Sequence, residues 1–366
     1  MSESFSENIN ALPTNTALQA GRANSSCEPR KSPKSSHNTS AEHCFSCVQS
    51  PPGGNRDGAF DQRIVQDAER LNSAWAGYAA AVDLGDIAPD ARCAGGVHPV
   101  RHFFDSLATI SERVLARPVL RWESDDDFVR AVASVCIDFG VRPVFRMTPD
   151  DLAEPDIGIV VRDMLGECHV QPAGADFVVD MSYISTTGRS VITARGALAA
   201  VPFVADWAEL ALVSGSFPEN LSGFTVGTHV IERHEWPVWL SNRDVAGRAV
   251  SYGDYATIHP IAVEEGLDPR TMNPTASVRY TFEDTWILIR GQGTRTRGSQ
   301  GFAQFLGHAD TIVAMPQYRG EPFSFGDGRI MRIHRRTEGQ GNLETWVTIG
   351  VNHHIAEIVD QLSNQP

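Results

Sequence analysis

Between residues 117 and 218 short apolar runs alternate with segments of helical period, about every 30 residues, and this alternation restricts the chain more than any other feature. The runs are "RPVLRW" (117–122), "RPVFRM" (142–147), "DFVVDM" (176–181) and "AELALVSGSFP" (208–218). Helical patterns follow from Ser124, near Ile157 to Leu165 and near Gly196 to Ala205. Strands this apolar need cover on both faces, and parallel neighbours need a crossover that a helix supplies. The pattern predicts βα units and a parallel sheet. Ser124 with Asp127 three residues on resembles a capping box and marks the first of these helix starts.

The regularity loosens after Pro218. Further strands are read in "HVIERHEWPVWL", "AVSYGDYATI", "SVRYTFEDTWILIRG" and "ETWVTIGVNHHI", the third turning as a hairpin at Glu283 and Asp284. The count reaches roughly eight strands, enough to close a barrel, with an open doubly wound sheet as the other solution. Residues 59–116 read as helical. "DQRIVQDAERLNSAWAGYAAAV" carries Ile64, Val65, Ala68, Leu71, Ala74 and Trp75 at helical spacing, and "VRHFFDSLATISERVLA" follows from Val100.

Residues 1–58 are rich in Ser, Asn, Pro and Gly and offer no apolar period, so they are read as a disordered tail ahead of a single domain over 59–366. In the tail, His43, Cys44 and Cys47 lie close together, with Cys27 and His37 upstream. The second ligand pair is poorly spaced for a zinc knuckle, and the tail reading is preferred.

Charge excludes one large class of function. A formal net charge of -14 repels a polyanion, so non-specific nucleic-acid binding is not expected. The first residues lack a basic and apolar leader, no run of apolar residues is long enough to span a membrane, and the six cysteines suit a reducing compartment. The expectation is a cytoplasmic protein without a membrane segment. No cofactor is indicated by any motif.

The order of "SGSFPENLSG", "RHEWPVW", "SYGDY", "VRYT", "WILIRG", "FSFGDGRI" and "TWVTIGVNHHI" resembles the beta protein family, named after a T-even bacteriophage protein and found widely in bacteria. The resemblance covers about residues 117–363. It implies an α/β fold of modified TIM type and no settled activity. Members open with two strands that are not found in this chain, so the resemblance implies an incomplete (β/α) barrel here.

In a barrel the carboxyl ends of the strands project side chains into one mouth, and candidate chemistry is sought there. Gly253 allows close backbone approach and Asp254 projects as a base, a ligand contact or a turn residue. Arg290 ends a buried run and either clamps an anion or pairs with Asp254. "GQGTRTRGSQG" lacks the lysine of a phosphate-binding loop, so Arg295 and Arg297 are read as part of a surface loop. In "RHEW" a period of two sets Arg233 and Glu235 on one face, either as an ion pair under Trp236 and Trp239 or with Glu235 facing Asp254 as a second carboxylate.

Ser214 and Ser216 form a strand-end turn without the glycine of a nucleophile elbow and are kept as ligand contacts. Asn352 is read as the N-cap of the last helix, with His353 and His354 in its first turn. Adjacent helical residues diverge by about 100 degrees, so both are not expected on one metal ion, and no metal ligands are assigned. The reading that results is a mouth gathering Glu235, Asp254, Arg279, Arg290 and His353 or His354 around an anionic small molecule or nucleotide. In a hydrolytic version Asp254 or Glu235 is the base, Arg290 stabilises charge and a histidine donates a proton. The competing reading is a non-catalytic protein-interaction module, acting between phage and host, that uses Trp236, Trp239 and Phe323 as exposed contacts.

Overall fold

The computed structural model describes residues 48–49, 58–75, 78–111, 113–261 and 272–364. The tail cysteines and histidines singled out above lie outside them. Seven strands form one parallel sheet: β1 (Val48–Gln49), β2 (Ala80–Asp83), β3 (Ala116–Leu120), β4 (Val144–Met147), β5 (Asp176–Tyr183), β6 (Glu209–Gly215) and β8 (Ser251–Asp254). Their spatial order follows the chain, β1-β2-β3-β4-β5-β6-β8, with parallel pairing throughout. A doubly wound sheet would reverse direction at a switch point, and this one does not.

The sheet curls into a half-barrel flanked by helices α1 (Ala59–Trp75), α2 (Pro99–Ile110), α3 (Asp126–Phe139), α4 (Pro149–Leu152), α5 (Ile157–Glu167) and α6 (Thr187–Ala200). Among the described residues its edge strands β1 and β8 do not pair with each other, and the sheet is a half-barrel. The reason is visible in the next strands. β7 (Gly227–Glu232) alternates half-buried and exposed positions along its whole length, a pattern for a strand with one wet face. It therefore leaves the buried sheet and joins β10 (Thr285–Gly293) and β9 (Thr275–Phe282) in an antiparallel sheet of order β7-β10-β9. The β9–β10 hairpin turns at Glu283 and Asp284, as its sequence predicts.

The main core lies between the convex face of the half-barrel and its helices. Leu120, Phe145, Met147, Phe177, Val179, Leu210 and Leu212 point outward there onto residues such as Phe103, Phe104 and Val132. A second core fills the space between the antiparallel sheet and helices α8 (Gln304–Ala314), α9 (Phe325–His334) and α10 (Leu343–Ser363), built on Val278, Tyr280, Ile287, Phe305, Ile330 and Trp346. A short helix, α7 (Glu235–Leu240), leads from β7 back toward β8. Among the described residues no helix is long and apolar enough to cross a membrane.

Four local expectations are corrected. Residues 80–83, inside the stretch read as helical, form β2, because pairing with β3 outweighs the helical preference of two alanines. "TWVTIG" is helical: α10 begins at Leu343, capped by Asn342, whose side chain accepts from Thr345 N at 2.9 Å. Its strand-favouring residues bury Trp346 and Ile349 at helical spacing, and packing overrides propensity. Asn352 is thus mid-helix and accepts a hydrogen bond from Gly326 N at 2.7 Å instead of capping. "RHEW" does not continue a strand either, since Glu235 opens α7. The cap of α3 is Asp125, which accepts from Phe128 N at 2.8 Å, while Ser124 Oγ accepts from Arg121 N.

Candidate functional site

A period of two sorts each parallel strand into a convex residue and a concave one. On the concave face lie Arg117 and Val119 of β3 with Arg121 directly after it, Val144 and Arg146 of β4 with Arg142 just ahead of it, and Asp176, Val178 and Asp180 of β5. The middle members pack with Ala81, Ala211 and Val213 into an aliphatic belt. Gly253 belongs to this face because a Cβ there would stand 2.6 Å from Val213 Cγ2. Charged residues lie on both sides of the belt. Toward the amino ends Asp176 takes Arg117 at 2.6 Å and Arg142 at 3.3 Å, and burial pushes its carboxyl up despite them.

Toward the carboxyl ends the charges converge more tightly. Asp83 Oδ2 accepts from Arg121 Nε at 2.9 Å and from Arg146 Nη1 at 2.6 Å. Arg146 Nε also reaches Asp180 Oδ2 at 2.8 Å, and Tyr255 OH donates to the same oxygen at 2.5 Å. The carboxylates are held from behind by backbone, Asp83 by Gly85 N at 3.0 Å and Asp180 by Ser182 N at 2.8 Å. Arg121 Nη1 reaches Asp86 at 2.6 Å, whereas Nη2 is buried without a hydrogen-bond partner among the described residues. Burial works against the Arg121 charge, yet Asp83 and Asp86 together raise its pKa above the ordinary value. Gly85 makes room for it, since a Cβ there would meet Arg121 Nε at 2.8 Å. Arg121 also lines a hollow with Gly85, His98, Ser124 and Phe128, formed by the loops that leave β2 and β3.

Most of the side chains expected at a mouth lie elsewhere, in a seam joining the half-barrel to the antiparallel sheet and α10. Ser216 Oγ donates to Glu235 Oε2 at 2.5 Å, and Arg233 Nε donates to Glu235 Oε1 at 2.6 Å. Arg233 Nη2 reaches Tyr252 OH at 3.1 Å, and Tyr252 OH donates to Asp254 Oδ2 at 2.5 Å. His354 Nε2 lies 2.8 Å from Asp254 Oδ2, and its Nδ1 lies 2.8 Å from Thr281 Oγ1. Burial disfavours charge on Asp254, but His354 and Arg233 together hold its carboxyl well below the usual range. His353 faces a neighbouring cluster: its Nδ1 is 2.8 Å from Asp327 Oδ2 and its Nε2 is 2.7 Å from Thr281 O. Asp327 also accepts from Tyr280 OH at 2.9 Å and Ser324 Oγ at 2.5 Å.

The structure therefore brings Glu235, Asp254, Ser216 and His354 into one chain of contacts, with His353 beside it, but inside the protein. His353 and Asp327 are both 0% exposed. Ser214 is buried in β6. Arg290 is separate from Asp254, at the far end of β10, where it donates to the carbonyls of Leu221 and Phe224. Arg279 donates to Thr257 O at 2.7 Å and lies 4.3 Å from the Phe217 ring, and burial pulls its pKa down to about 10. Trp236 and Trp239 are each 7% exposed and pack on Tyr252, and Phe323 is half-buried under Arg319, so these rings offer no open apolar surface.

The concave rim of Asp83, Arg121, Arg146, Asp180 and Tyr255 was not singled out from sequence. A signal existed. R-x-V-x-R recurs in "RPVLR" and "RPVFR", and D-x-V-x-D in "DFVVD" supplies the opposite charges at the same spacing in the adjacent strand. Comparison with curated proteins and with solved structures returns no match. A family model described as Beta protein matches residues 37–360, nearly the whole of the half-barrel and the seam, and the chain belongs to that family.

Proposed function

We propose that the half-barrel binds a small anionic molecule at the carboxyl ends of β2 to β5, with Arg121 and Arg146 taking the anionic group. The observation that carries this reading is the buried Nη2 of Arg121, a charged donor without a hydrogen-bond partner among the described residues, on a side chain that lines a hollow. Leaving such a donor unmade costs about 1–3 kcal/mol or more, and an anion placed there removes the cost. The position agrees with the general rule that ligands of barrel-like sheets sit at the carboxyl ends of the strands. Asp83, bridging both guanidinium groups, holds them in a fixed relation, so little ordering remains to be done on binding.

Glu235, Asp254, His353 and His354 are assigned to the seam in this reading and not to the ligand. The test is a thermal-shift and equilibrium-dialysis panel of inorganic phosphate, nucleotides, sugar phosphates and dicarboxylates. One class is expected to stabilise the protein in a saturable way, and Arg121→Met is expected to weaken that binding about tenfold or more, the worth of one charge-assisted hydrogen bond. Absence of any saturable ligand in the panel, or wild-type affinity in Arg121→Met, would refute the reading.

A further inference from the structure

We propose that Asp61, Cys93 and His102 form a binding site for a divalent transition-metal ion of the zinc class. The three come from different elements, Asp61 from the first turn of α1, Cys93 from the loop after β2, and His102 from the first turn of α2. One donor atom from each, a carboxylate oxygen, a sulfur and an imidazole nitrogen, lies within 4.8 Å of the other two. Tetrahedral zinc with such ligands sets its donors about 3.5 Å apart, so side-chain rotations of about 1 Å close the site. Sulfur, imidazole nitrogen and carboxylate oxygen together favour zinc or cobalt over the hard cations, which take oxygen alone.

Two of the three donors carry an independent sign of a missing partner. Asp61 Oδ1 and His102 Nε2 are both buried without a geometrically formed hydrogen bond among the described residues, although the Asp61 carboxylate stands close enough to the Cys93 thiol to help burial push its pKa up to about 12. Were this polar packing only, the imidazole would donate to the carboxylate and satisfy both atoms. One cation between them satisfies both at once and takes the Cys93 sulfur as well. The surroundings hold the donors in place. Asp61 uses its other oxygen to accept from Ala94 N at 2.8 Å, which orients the carboxylate next to Cys93. The backbone turns tightly after Cys93 through Gly95 and Gly96, both at positive φ (73° and 78°), with Gly96 N donating to Cys93 O at 3.0 Å. His102 also lines a surface hollow of 310 Å³ between α1 and α2, so the site lies close to the surface.

The full chain, stripped with a chelator, is titrated with Co²⁺ and then Zn²⁺. One Co²⁺ per chain with a thiolate charge-transfer band is expected, displaced by Zn²⁺. His102→Gln and Asp61→Asn are each expected to weaken Co²⁺ binding about tenfold to a hundredfold, and Cys93→Ser to abolish the band. The variant Cys27→Ser with Cys44→Ser and Cys47→Ser, whose cysteines lie outside the described residues, is expected to keep both band and stoichiometry. Loss of the band in that triple variant, its survival in Cys93→Ser, or no binding of micromolar Co²⁺ by the wild type would overturn the proposal. If Cys93→Ser does not fold, the triple variant and the wild-type titration decide alone.

Discussion

The seam and the concave rim are built from the same residue types, yet they stand in opposite states of satisfaction. In the seam Asp327, fully buried, receives Tyr280, Ser324 and His353, and Asp254, with 11% of its side chain exposed, receives Tyr252 and His354, so each carboxylate is filled from several sides. At the rim Arg121 retains 13% exposure of its side chain and one nitrogen without a partner among the described residues. A filled network fixes how two layers of a protein meet, and the ligand proposed for the rim would fill the donor that the rim leaves over.

The contrast can be broken most directly at Asp327. Asp327→Ala strands Tyr280, Ser324 and His353 in a buried region, and a loss of about 3–5 kcal/mol in urea unfolding is expected. A loss below about 1 kcal/mol would show that the cluster is not a structural tie.

Asp254→Asn is expected to cost less, about 2 kcal/mol at neutral pH, because the amide oxygen can still accept from Tyr252. Its pH dependence carries more information. The folded-state pKa of Asp254 is depressed, so its stabilisation is complete above the unfolded value of about 3.9 and is lost as pH falls below that toward the folded value. The wild type should lose stability over that acid range more steeply than Asp254→Asn, and equal slopes would contradict the pairing with His354. The smallest effect is expected at the rim. Arg121→Met should change unfolding free energy by about 1 kcal/mol, since Arg146 continues to neutralise Asp83 and Asp86 remains in contact with water. A cost as large as that of Asp327→Ala would make the rim a second structural seam and weaken the ligand reading.

The membership in the Beta protein family and the α/β architecture were legible from the order of the motifs and from strands and helices that alternate about every 30 residues. So was the β9–β10 hairpin, because a strand-turn-strand pattern is local. β2 was not legible, since four small residues acquire their conformation from a partner 36 positions away, Ala80 opposite Ala116. The His353–His354 pair was read at a helix start, and its true place inside α10 depends on Trp346 and Ile349 finding the second core.

What the chain determined by itself is the list of elements and the composition of their faces, because periodicity of two or 3.6 is written residue by residue. Whether the sheet closes, which charges meet and which remain unfilled were decided only by the tertiary structure. β7 had to leave the parallel sheet for Arg233 to reach Tyr252, and three separate strands had to align for Asp83 to meet Arg121 and Arg146. The Asp83 contacts join residues 38 and 63 positions apart, and no local pattern encodes the distance between them.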